Sequence, residues 1–338
     1  MERKVSIVIP CRNEQQYIAA CIGSILAADT AGCKVSILVC DGMSEDDTRA
    51  IVTALARENP SVHLIDNLER TTPQALNLGL KSLPFDVGII LGAHAEIDPL
   101  FIRGNMDVLD GDPTVGCAGG IIENVSEGPV SRRICAAMGH PFGVGGAHFR
   151  TGTRDGYVDT VAFGAYRREV FERVGWFDED LVRNQDDEFN FRVTQGGFKI
   201  FLSRAIRSKY YVRASYIRLF QQYQQYGYWK VYVNRKHRTV TTFRQLVPAF
   251  LVLFLFGAPI VAALLPMLGI PLLALLLLYV ALATVSAMKA STMRGDVPGI
   301  IKAFLTMHIA YGWGYLKGIV LFVLLRRKPG EHSKKLTR

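Results

Sequence analysis

Short apolar runs alternate with amphipathic segments in the amino-terminal part of the chain. The apolar runs are Val5–Pro10, Val35–Cys40, His63–Ile65 and Asp86–Leu91. Each run has the length and composition of a buried strand. The intervening segments predict helices over about 14–27, after Ser44 and from Pro73 to about Leu80. Strands and helices that alternate in this way form a mostly parallel sheet covered by helices, so the pattern predicts an α/β domain.

Ser44 is the predicted cap of the second helix, with Asp46 and Asp47 in the first turn, where the helix dipole favours acids.

The pattern becomes less regular after the fourth strand. Residues 111–165 are rich in Gly and predict loops and short strands. Further helices are predicted over 168–173, 186–195 and 221–238, the last of them basic, aromatic and amphipathic.

The carboxyl-terminal part has the composition of a membrane segment. Residues 245–288 contain no charged side chain, and Pro266 with residues 269–271 predicts a turn that divides this stretch into spans at 246–266 and 271–289. A third apolar segment, 303–325, includes polar and aromatic residues. Its expected place is interfacial or re-entrant, with Trp313 and Tyr315 at headgroup level.

Charge suggests how the chain is oriented. The net charge is +9, and basic residues cluster at 204–244 and 326–338, on both sides of the apolar block. This distribution favours anionic lipid over nucleic acid as the cause of the basic balance. We expect a multi-pass protein of the cytoplasmic membrane whose first domain, 289–302 linker and basic tail face the cytoplasm. A third full span would place that tail outside.

The cysteines and the amino terminus add little chemistry. All 6 cysteines precede the apolar block, without a CxxC pair, which predicts reduced and mostly buried thiols. The charged start runs directly into a strand, so no signal peptide is expected.

Polar residues follow three of the predicted strands at the edge where parallel sheets bind ligands. These segments are 10–14, 41–42 and 92–96, and we expect them to share one crevice. The first strand is not followed by GxGxxG, which argues against a nicotinamide or flavin enzyme. An acid at the end of the second strand, Asp41, can accept hydrogen bonds from a ribose hydroxyl or a base N–H, although Asp-Gly is also an ordinary turn pair.

Several segments together resemble the family-two inverting glycosyltransferases, and in particular the succinoglycan-type exopolysaccharide enzymes. The segments are 5–14, 39–48, 70–77, 143–150, 158–168, 175–179 and 308–318, which extend over almost the whole chain. The resemblance implies a GT-A fold followed by membrane helices and a nucleoside-diphosphate sugar donor, usually a UDP-sugar. It also implies a divalent metal, Mn²⁺ or Mg²⁺, and a polyprenyl-diphosphate-linked saccharide as acceptor.

The resemblance also assigns roles to particular residues. Asp186 aligns with the general base, which removes the proton of the acceptor hydroxyl. Its acidic neighbours Asp187 and Glu188 are expected to raise its proton affinity, although three acids also suit a helix start. Gln185 stands where the family has Glu. The nucleotide-binding residues are expected to be Pro10, Arg12, Glu14, Asp41 and Ala93.

The metal site departs from the family pattern. The segment 92–96 lacks the usual first Asp, which is Gly92 here. His94 is the expected metal ligand and Glu96 a possible second, against the alternatives of a His bonded to backbone and an exposed loop Glu. Cations that could offset a weakened site are Arg70, Arg150 and Lys230. The residues expected on the acceptor side are Arg70, Arg150, Asp159, Arg167, Asp187 and Lys230.

The predicted organisation has four parts. They are a GT-A catalytic domain at 1–205 (nucleotide half 1–98, acceptor half 99–205), a basic aromatic interfacial helical segment at 206–244, a membrane segment at 245–328 and a basic tail at 329–338. The predicted activity is transfer of one sugar with inversion to a lipid-linked saccharide. Two alternatives stay open: transfer to polyprenyl monophosphate, which needs little help from a base, and a catalytically silent scaffold of a polysaccharide assembly complex.

Overall fold

The computed structural model describes residues 2–152, 154–212, 214–241, 243–327 and 329. The predicted basic tail at 329–338 therefore lies, apart from Pro329, outside the described residues. The chain divides into two compact units: Met1–Glu123 with His148–Tyr211, and Asn124–Ala147 with Val212–Arg338. The second unit thus includes an internal segment that the predicted domain boundaries assigned to the catalytic domain.

The chain up to Tyr211 alternates strands and helices. The first elements are β1 Lys4–Cys11, α1 Ile18–Leu26, β2 Lys34–Asp41, α2 Thr48–Glu58, β3 Val62–Asp66, α3 Thr72–Ser82, β4 Val87–Ile90, β5 Ala95–Ile97 and α4 Phe101–Gly111. They are followed by β6 Val115–Val125, α5 Pro129–Met138, α6 Pro141–Val144, α7 His148–Thr151, β7 Gly156–Tyr157, β8 Ala162–Arg167, α8 Arg168–Val174, α9 Gln185–Gln195 and β9 Lys199–Tyr211.

The strands of the described residues form a 9-stranded mixed sheet in the order β3-β2-β1-β4-β8-β6-β9-β5, with β7 paired to β9. The first four of these are parallel, and Val8 of β1 pairs with Leu38 on one side and Ile90 on the other. The remaining half contains antiparallel pairs. The expected α/β fold is confirmed.

Both faces of the sheet are buried. Ile7 and Ile9 point into one apolar cluster, which packs against α1 and α4, whereas Val8 points into the other, which packs against α3 and α8. This alternation follows from the two-residue period of a strand, and it explains why β1 is apolar at nearly every position.

Three local predictions were wrong. Helix α1 begins at Ile18 rather than near Glu14, because residues 14–17 form a turn closed by the N–H groups of Tyr17 and Ile18 on the Glu14 carbonyl. Helix α2 begins at Thr48, so Ser44 does not cap it and its first turn contains no acid. The Gly-rich region predicted as loops and short strands contains the long strand β6 and helix α5.

The second unit is helical. Its long helices are α10 Tyr216–His237, α11 Leu246–Leu264, α12 Gly269–Ala290 and α13 Val297–Gly318, the last continued by a π-helical turn to Leu324. Among the described residues, 3 segments are long and apolar enough to cross a membrane: Phe243–Leu264, Pro266–Ala290 and Arg294–Leu324. The third is the most buried of them. The preference for two spans and an interfacial third helix stays a prediction.

Glycines allow close helix packing in this unit. A methyl group on Gly227 of α10 would overlap the Tyr311 carbonyl of α13, and one on Gly314 of α13 would overlap the Gln224 carbonyl of α10. Tyr315 is buried and its hydroxyl accepts a hydrogen bond from Asn234 Nδ2 at 3.1 Å, so it packs against α10, and its predicted place at headgroup level stays a prediction. The segment predicted as interfacial helix at 206–244 also begins inside β9, and α10 buries much of its length.

The internal segment 124–147 packs with the carboxyl-terminal helices. Asp296, just before α13, accepts hydrogen bonds from Arg132 Nε at 2.6 Å and Arg133 Nε at 2.8 Å. Phe142 of α6 contacts Phe304 of α13 with ring centroids 5.0 Å apart. These ion pairs and ring contacts explain why a stretch embedded in the catalytic sequence belongs to the helical unit.

Candidate active site

Two loops at the carboxyl ends of β1 and β2 are joined by reciprocal hydrogen bonds. The N–H groups of Asn13 and Glu14 donate to Ser44 Oγ and Thr48 Oγ1, both at 2.8 Å. In return the Glu45 N–H donates to Asn13 Oδ1 at 2.8 Å. Because side chains of each loop satisfy main-chain groups of the other, the two loops form one rim at the predicted ligand-binding edge.

Asp41 lies beneath this rim and is completely buried. Its carboxylate accepts hydrogen bonds from the Ser44 hydroxyl, from the Ser44 N–H at 3.0 Å and from Arg49 Nη1 at 2.7 Å. Burial raises the pKa of this carboxyl group, but the bonds from Ser44 and Arg49 outweigh it, so the pKa of Asp41 lies below its ordinary value. Asp41 therefore holds the rim, and its predicted direct contact with a nucleoside stays a prediction.

The other predicted nucleotide-binding residues reach the same edge. Pro10 pairs with Cys40 near the ends of β1 and β2. The Nη2 atom of Arg12 lies 3.4 Å from Oε1 of Glu45. Ala93 follows β4, and its side chain is buried, so it can offer a ligand only its main chain. The structure thus brings Pro10, Arg12 and Glu14 together, as the sequence predicted.

His94 lies beside Glu14. Its Nδ1 atom is 3.6 Å from Glu14 Oε1, and both side chains remain partly exposed, at 25% and 21%. The imidazole ring is framed by Tyr210, with centroids 5.0 Å apart, and by Tyr17 at 6.5 Å. A nitrogen and a carboxylate oxygen thus approach each other at the mouth of the crevice, where a cation could contact both.

Glu96 points to a different partner. Its Oε1 atom accepts a hydrogen bond from the Tyr211 hydroxyl at 2.5 Å, and the carboxylate that approaches His94 at 3.6 Å is that of Glu14. The role of Glu96 as a second metal ligand stays a prediction. The family's missing acid also has little room, because a Cβ on Gly92 would lie 3.3 Å from the Phe163 ring. The part of the chain that the structure describes contains no group of three His, Cys, Asp or Glu that could hold a metal by itself. The residues present fit a cation with two protein ligands.

Asp186 lies in the first turn of α9, as predicted. The turn is preceded by Asn184 in the left-handed region, with φ 59°, and Asp186 Oδ1 accepts a hydrogen bond from the Asp187 N–H at 2.9 Å. Glu188 is buried and forms an ion pair with Arg192 at 2.9 Å, and its expected effect on Asp186 stays a prediction. Gln185 Oε1 is buried and accepts no hydrogen bond from the described residues.

A buried network fixes α9 in place, and sequence reasoning missed it. The Tyr166 hydroxyl of β8 donates to Asn190 Oδ1 at 2.9 Å, and Asn190 Nδ2 donates to Thr160 Oγ1 at 2.9 Å. Arg192 Nη2 donates to the Trp176 carbonyl at 2.8 Å. Burial raises the pKa of Tyr166 well above its ordinary value, so its hydroxyl stays a donor at neutral pH. The contiguous run of motif residues around 160–190 was the one feature of the sequence that could have indicated this network.

The predicted acceptor-side residues do not form one group. Arg150 lies over the Tyr210 ring at 5.6 Å, in the surroundings of His94. Arg167 pairs with Val87 at the amino end of β4, the opposite edge of the sheet, and donates to the carbonyls of Val115 and Leu109. Its guanidinium is thus bonded to main-chain carbonyls, and its predicted acceptor role stays a prediction without support from this position.

Four further acceptor-side predictions remain untested by the geometry. Asp159 is exposed just before β8, and Arg70 has a left-handed backbone, with φ 61°. Lys230 is buried in α10 of the second unit. Asp187 lies next to Asp186 in α9 and is partly exposed.

The mixed sheet, with polar residues gathered at the carboxyl ends of its parallel strands, agrees with the GT-A fold expected from the sequence. Residues 6–175 match the family described as Glycosyl transferase family 2. The chain belongs to this family, and it is a glycosyltransferase.

Relatives support the assignment. The chain is 30% identical over 239 residues (69% of this chain, 74% of the relative) to dolichyl N-acetyl-alpha-D-glucosaminyl phosphate 3-beta-D-2,3-diacetamido-2,3-dideoxy-beta-D-glucuronosyltransferase of Methanococcus voltae. It is 31% identical over 256 residues (75% and 76%) to succinoglycan biosynthesis protein ExoA of Rhizobium meliloti (strain 1021). The fold is similar to that of mannosyltransferase PcManGT from Pyrobaculum calidifontis, with TM-score 0.60, 19% identity, and 94% of this chain and 88% of that one covered.

Proposed function

We propose that the protein is an inverting glycosyltransferase that adds a single hexose from a UDP-sugar to a polyprenyl-diphosphate-linked saccharide in exopolysaccharide biosynthesis. The observation that carries the proposal is the support of Asp186. The Tyr166–Asn190 bond and the Glu188–Arg192 pair hold the first turns of α9, so that the carboxylate has a fixed position. A base that is fixed before the substrate arrives loses less in orienting for proton transfer.

In the proposed reaction Asp186 takes the proton of the acceptor hydroxyl. The hydroxyl oxygen forms its bond to the anomeric carbon while the bond from that carbon to the donor diphosphate breaks, and the configuration inverts. The rim that contains Arg12 and Glu14 binds the donor, and Asp41 keeps that rim in place. A divalent cation, when bound, would offset the charge on the departing diphosphate.

The donor and the cation are supported by a structure of similar fold. The mannosyltransferase PcManGT was solved in complex with GDP-Man and Mn²⁺. We infer that this chain also uses a nucleoside-diphosphate sugar and a divalent ion, Mn²⁺ or Mg²⁺, with His94 as a ligand.

The acceptor is inferred from the relatives and the helices. One relative is named for transfer to a dolichyl-linked sugar phosphate and the other for succinoglycan biosynthesis. Three segments long and apolar enough to cross a membrane would keep the enzyme beside a lipid-linked acceptor. We infer a multi-pass protein of the cytoplasmic membrane, with the catalytic unit in the cytoplasm and a polysaccharide assembly complex as its setting.

The test is a nucleotide-release assay on membranes that contain the full chain. UDP- and GDP-sugars are supplied one at a time, with and without Mn²⁺ or Mg²⁺, and with either a polyprenyl-diphosphate saccharide or polyprenyl monophosphate as acceptor. We expect release of UDP from one UDP-sugar, and only when metal and the saccharide acceptor are present. The product should be one sugar longer, and the anomeric configuration of that sugar should be inverted relative to the donor. Release with the monophosphate instead would replace the proposed acceptor. No release from any donor with either acceptor would refute the proposal.

A further inference from the structure

Of the two carboxylates that could accompany the expected metal ligand His94, Glu14 is the one whose oxygen approaches the imidazole. Glu96 is already bonded to the Tyr211 hydroxyl at 2.5 Å. Glu14 Oε1 instead approaches His94 Nδ1 at 3.6 Å, and its carboxylate is partly exposed to solvent. The position where the family has its first acid is Gly92, beside the Phe163 ring. A carboxylate from another part of the chain could take the place of the acid that the family has at this position.

The separation of the two atoms suits a shared cation. Oxygen and nitrogen ligands lie about 2.0–2.2 Å from small divalent ions, so two ligands of one ion are roughly 3–3.6 Å apart at angles of about 90–120°. The 3.6 Å between His94 Nδ1 and Glu14 Oε1 falls at the upper end of that range. It is also longer than a good hydrogen bond between the two groups, so the pair is not satisfied by direct contact alone.

Both side chains start from firmly held backbone. The Glu14 N–H donates to Thr48 Oγ1 at 2.8 Å, and the Glu14 carbonyl accepts from Tyr17 at 3.0 Å and Ile18 at 2.9 Å. The His94 ring is held between Tyr17 and Tyr210. The hydrogen bonds that fix Glu14 are made by its main chain, whereas those that fix the rim at Asp41 are made by its carboxylate.

We propose that Glu14 is the carboxylate ligand that accompanies His94 in binding the divalent cation, in place of the acid missing at Gly92. With two protein ligands, the remaining positions of the ion are filled by water and by oxygens of the donor diphosphate. The assignment rests on the proposed function for the identity of that diphosphate. It moves the metal ligand from β5 to the loop after β1, on the rim stabilised by Asp41 and Thr48.

The test is Mn²⁺ titration of the purified full chain in the presence of saturating UDP, followed by electron paramagnetic resonance of free Mn²⁺. Glu14→Gln keeps every main-chain bond and removes the charge, and we expect it to weaken Mn²⁺ binding about 10–100-fold. His94→Ala should lose binding to a similar or greater extent. Glu96→Gln is the matched control, because its amide oxygen can still accept from Tyr211, and its Mn²⁺ affinity should equal that of wild type.

The outcomes separate this proposal from the enzymatic one. Unchanged Mn²⁺ affinity in Glu14→Gln, or a loss in Glu96→Gln, would overturn the Glu14 assignment even if sugar transfer is observed. The expected affinities without sugar transfer from any donor would leave the cation site standing and remove the proposed function. Glu14→Asp is the second variant, which keeps the charge but shortens the side chain. It should fold as wild type and bind Mn²⁺ with intermediate affinity.

Discussion

Asp186 is the residue on which the chemistry depends most directly. We expect Asp186→Asn to lower kcat by about 10²–10⁴-fold, because the amide cannot take the acceptor proton, while UDP affinity stays unchanged. The measurement is steady-state transfer together with UDP calorimetry. Asp180→Asn, which changes an exposed acid in the turn before α9, is the control and should be near wild type. A mild effect of Asp186→Asn would indicate an acceptor that is already anionic, such as a lipid phosphate.

Asp41 makes a prediction about pH. Its pKa is below the ordinary value because bonds from Ser44 and Arg49 outweigh the effect of burial. A lowered folded-state pKa stabilises the protein above the unfolded value of about 3.9, and that stabilisation is lost as the pH falls through the folded value. The free energy of unfolding of Asp41→Asn should therefore be about 1–3 kcal/mol lower than that of wild type at pH 7, and the difference should shrink below about pH 4. Thermal unfolding at several pH values measures it. A gap that stays constant to pH 3 would contradict the assignment.

At the scale of elements, the joined loops after β1 and β2 should govern donor affinity. Thr48→Val preserves shape but leaves the Glu14 N–H without its acceptor, a loss of about 1–3 kcal/mol. We expect the Kd for UDP with Mn²⁺ to rise about 10-fold, since each 1.4 kcal/mol is tenfold. Thr53→Val, on an exposed position of the same helix, is the matched control. Equal affinities in the two variants would show that the loop bond does not position the site.

The close contact between α10 and α13 should tolerate no added methyl group. Gly314→Ala places a Cβ against the Gln224 carbonyl of the neighbouring backbone, so one helix must shift, at about 1–3 kcal/mol. Gly257→Ala in α11 is the matched control, because nothing lies within 4 Å of its Cβ and Ala favours a helix. Thermal unfolding of the detergent-solubilised chain should show a lower midpoint for Gly314→Ala only. Equal midpoints would mean that the helices are not packed this closely.

The parallel half of the sheet was predictable from local pattern, whereas the start of α2 was not. The continuous apolar run that includes Ile7, Val8 and Ile9 predicts a strand directly, because a strand buried on both faces is apolar at every position. Ser44 has the local signature of a cap, but its hydroxyl bonds with Asp41 and with the Asn13 main chain. Whether such a serine caps its helix depends on the bonding partners that another loop offers, and a single sequence does not reveal those partners.

The site was predictable to a similar degree. Glu14, Asp41, His94 and Asp186 reach the expected edge or helix because motif residues follow the ends of predictable elements. The sequence could not show that Glu96 faces Tyr211 or that Arg167 faces the opposite edge, since both depend on the register of antiparallel strands far apart in the chain. A one-residue change of register reverses which face a side chain occupies.

At the scale of the whole molecule, the chain order and the packing order differ. Helix α5 and the short α6 are embedded in the catalytic sequence, yet they belong with α13 through Asp296, Phe304 and His308. Composition did not reveal this, because the segment is only moderately apolar and its partners follow more than a hundred residues later. The predicted boundary at 205 lies inside β9, and the predicted domains do not set the inserted segment apart.

This organisation predicts how a truncated chain would behave. A fragment that ends at Tyr211 keeps all strands of the sheet but loses α13, so Arg132 and Arg133 lose Asp296 and the apolar side of α6 loses Phe304. Removing the buried carboxylate that pairs with two partly exposed arginines and exposing apolar rings both destabilise the remaining segment. We expect the fragment to bind UDP but to be cleaved by protease within 124–147, a region that the full chain protects. Limited proteolysis with mass spectrometry measures this, and protection of 124–147 in the fragment would show that the segment folds without the carboxyl-terminal helices.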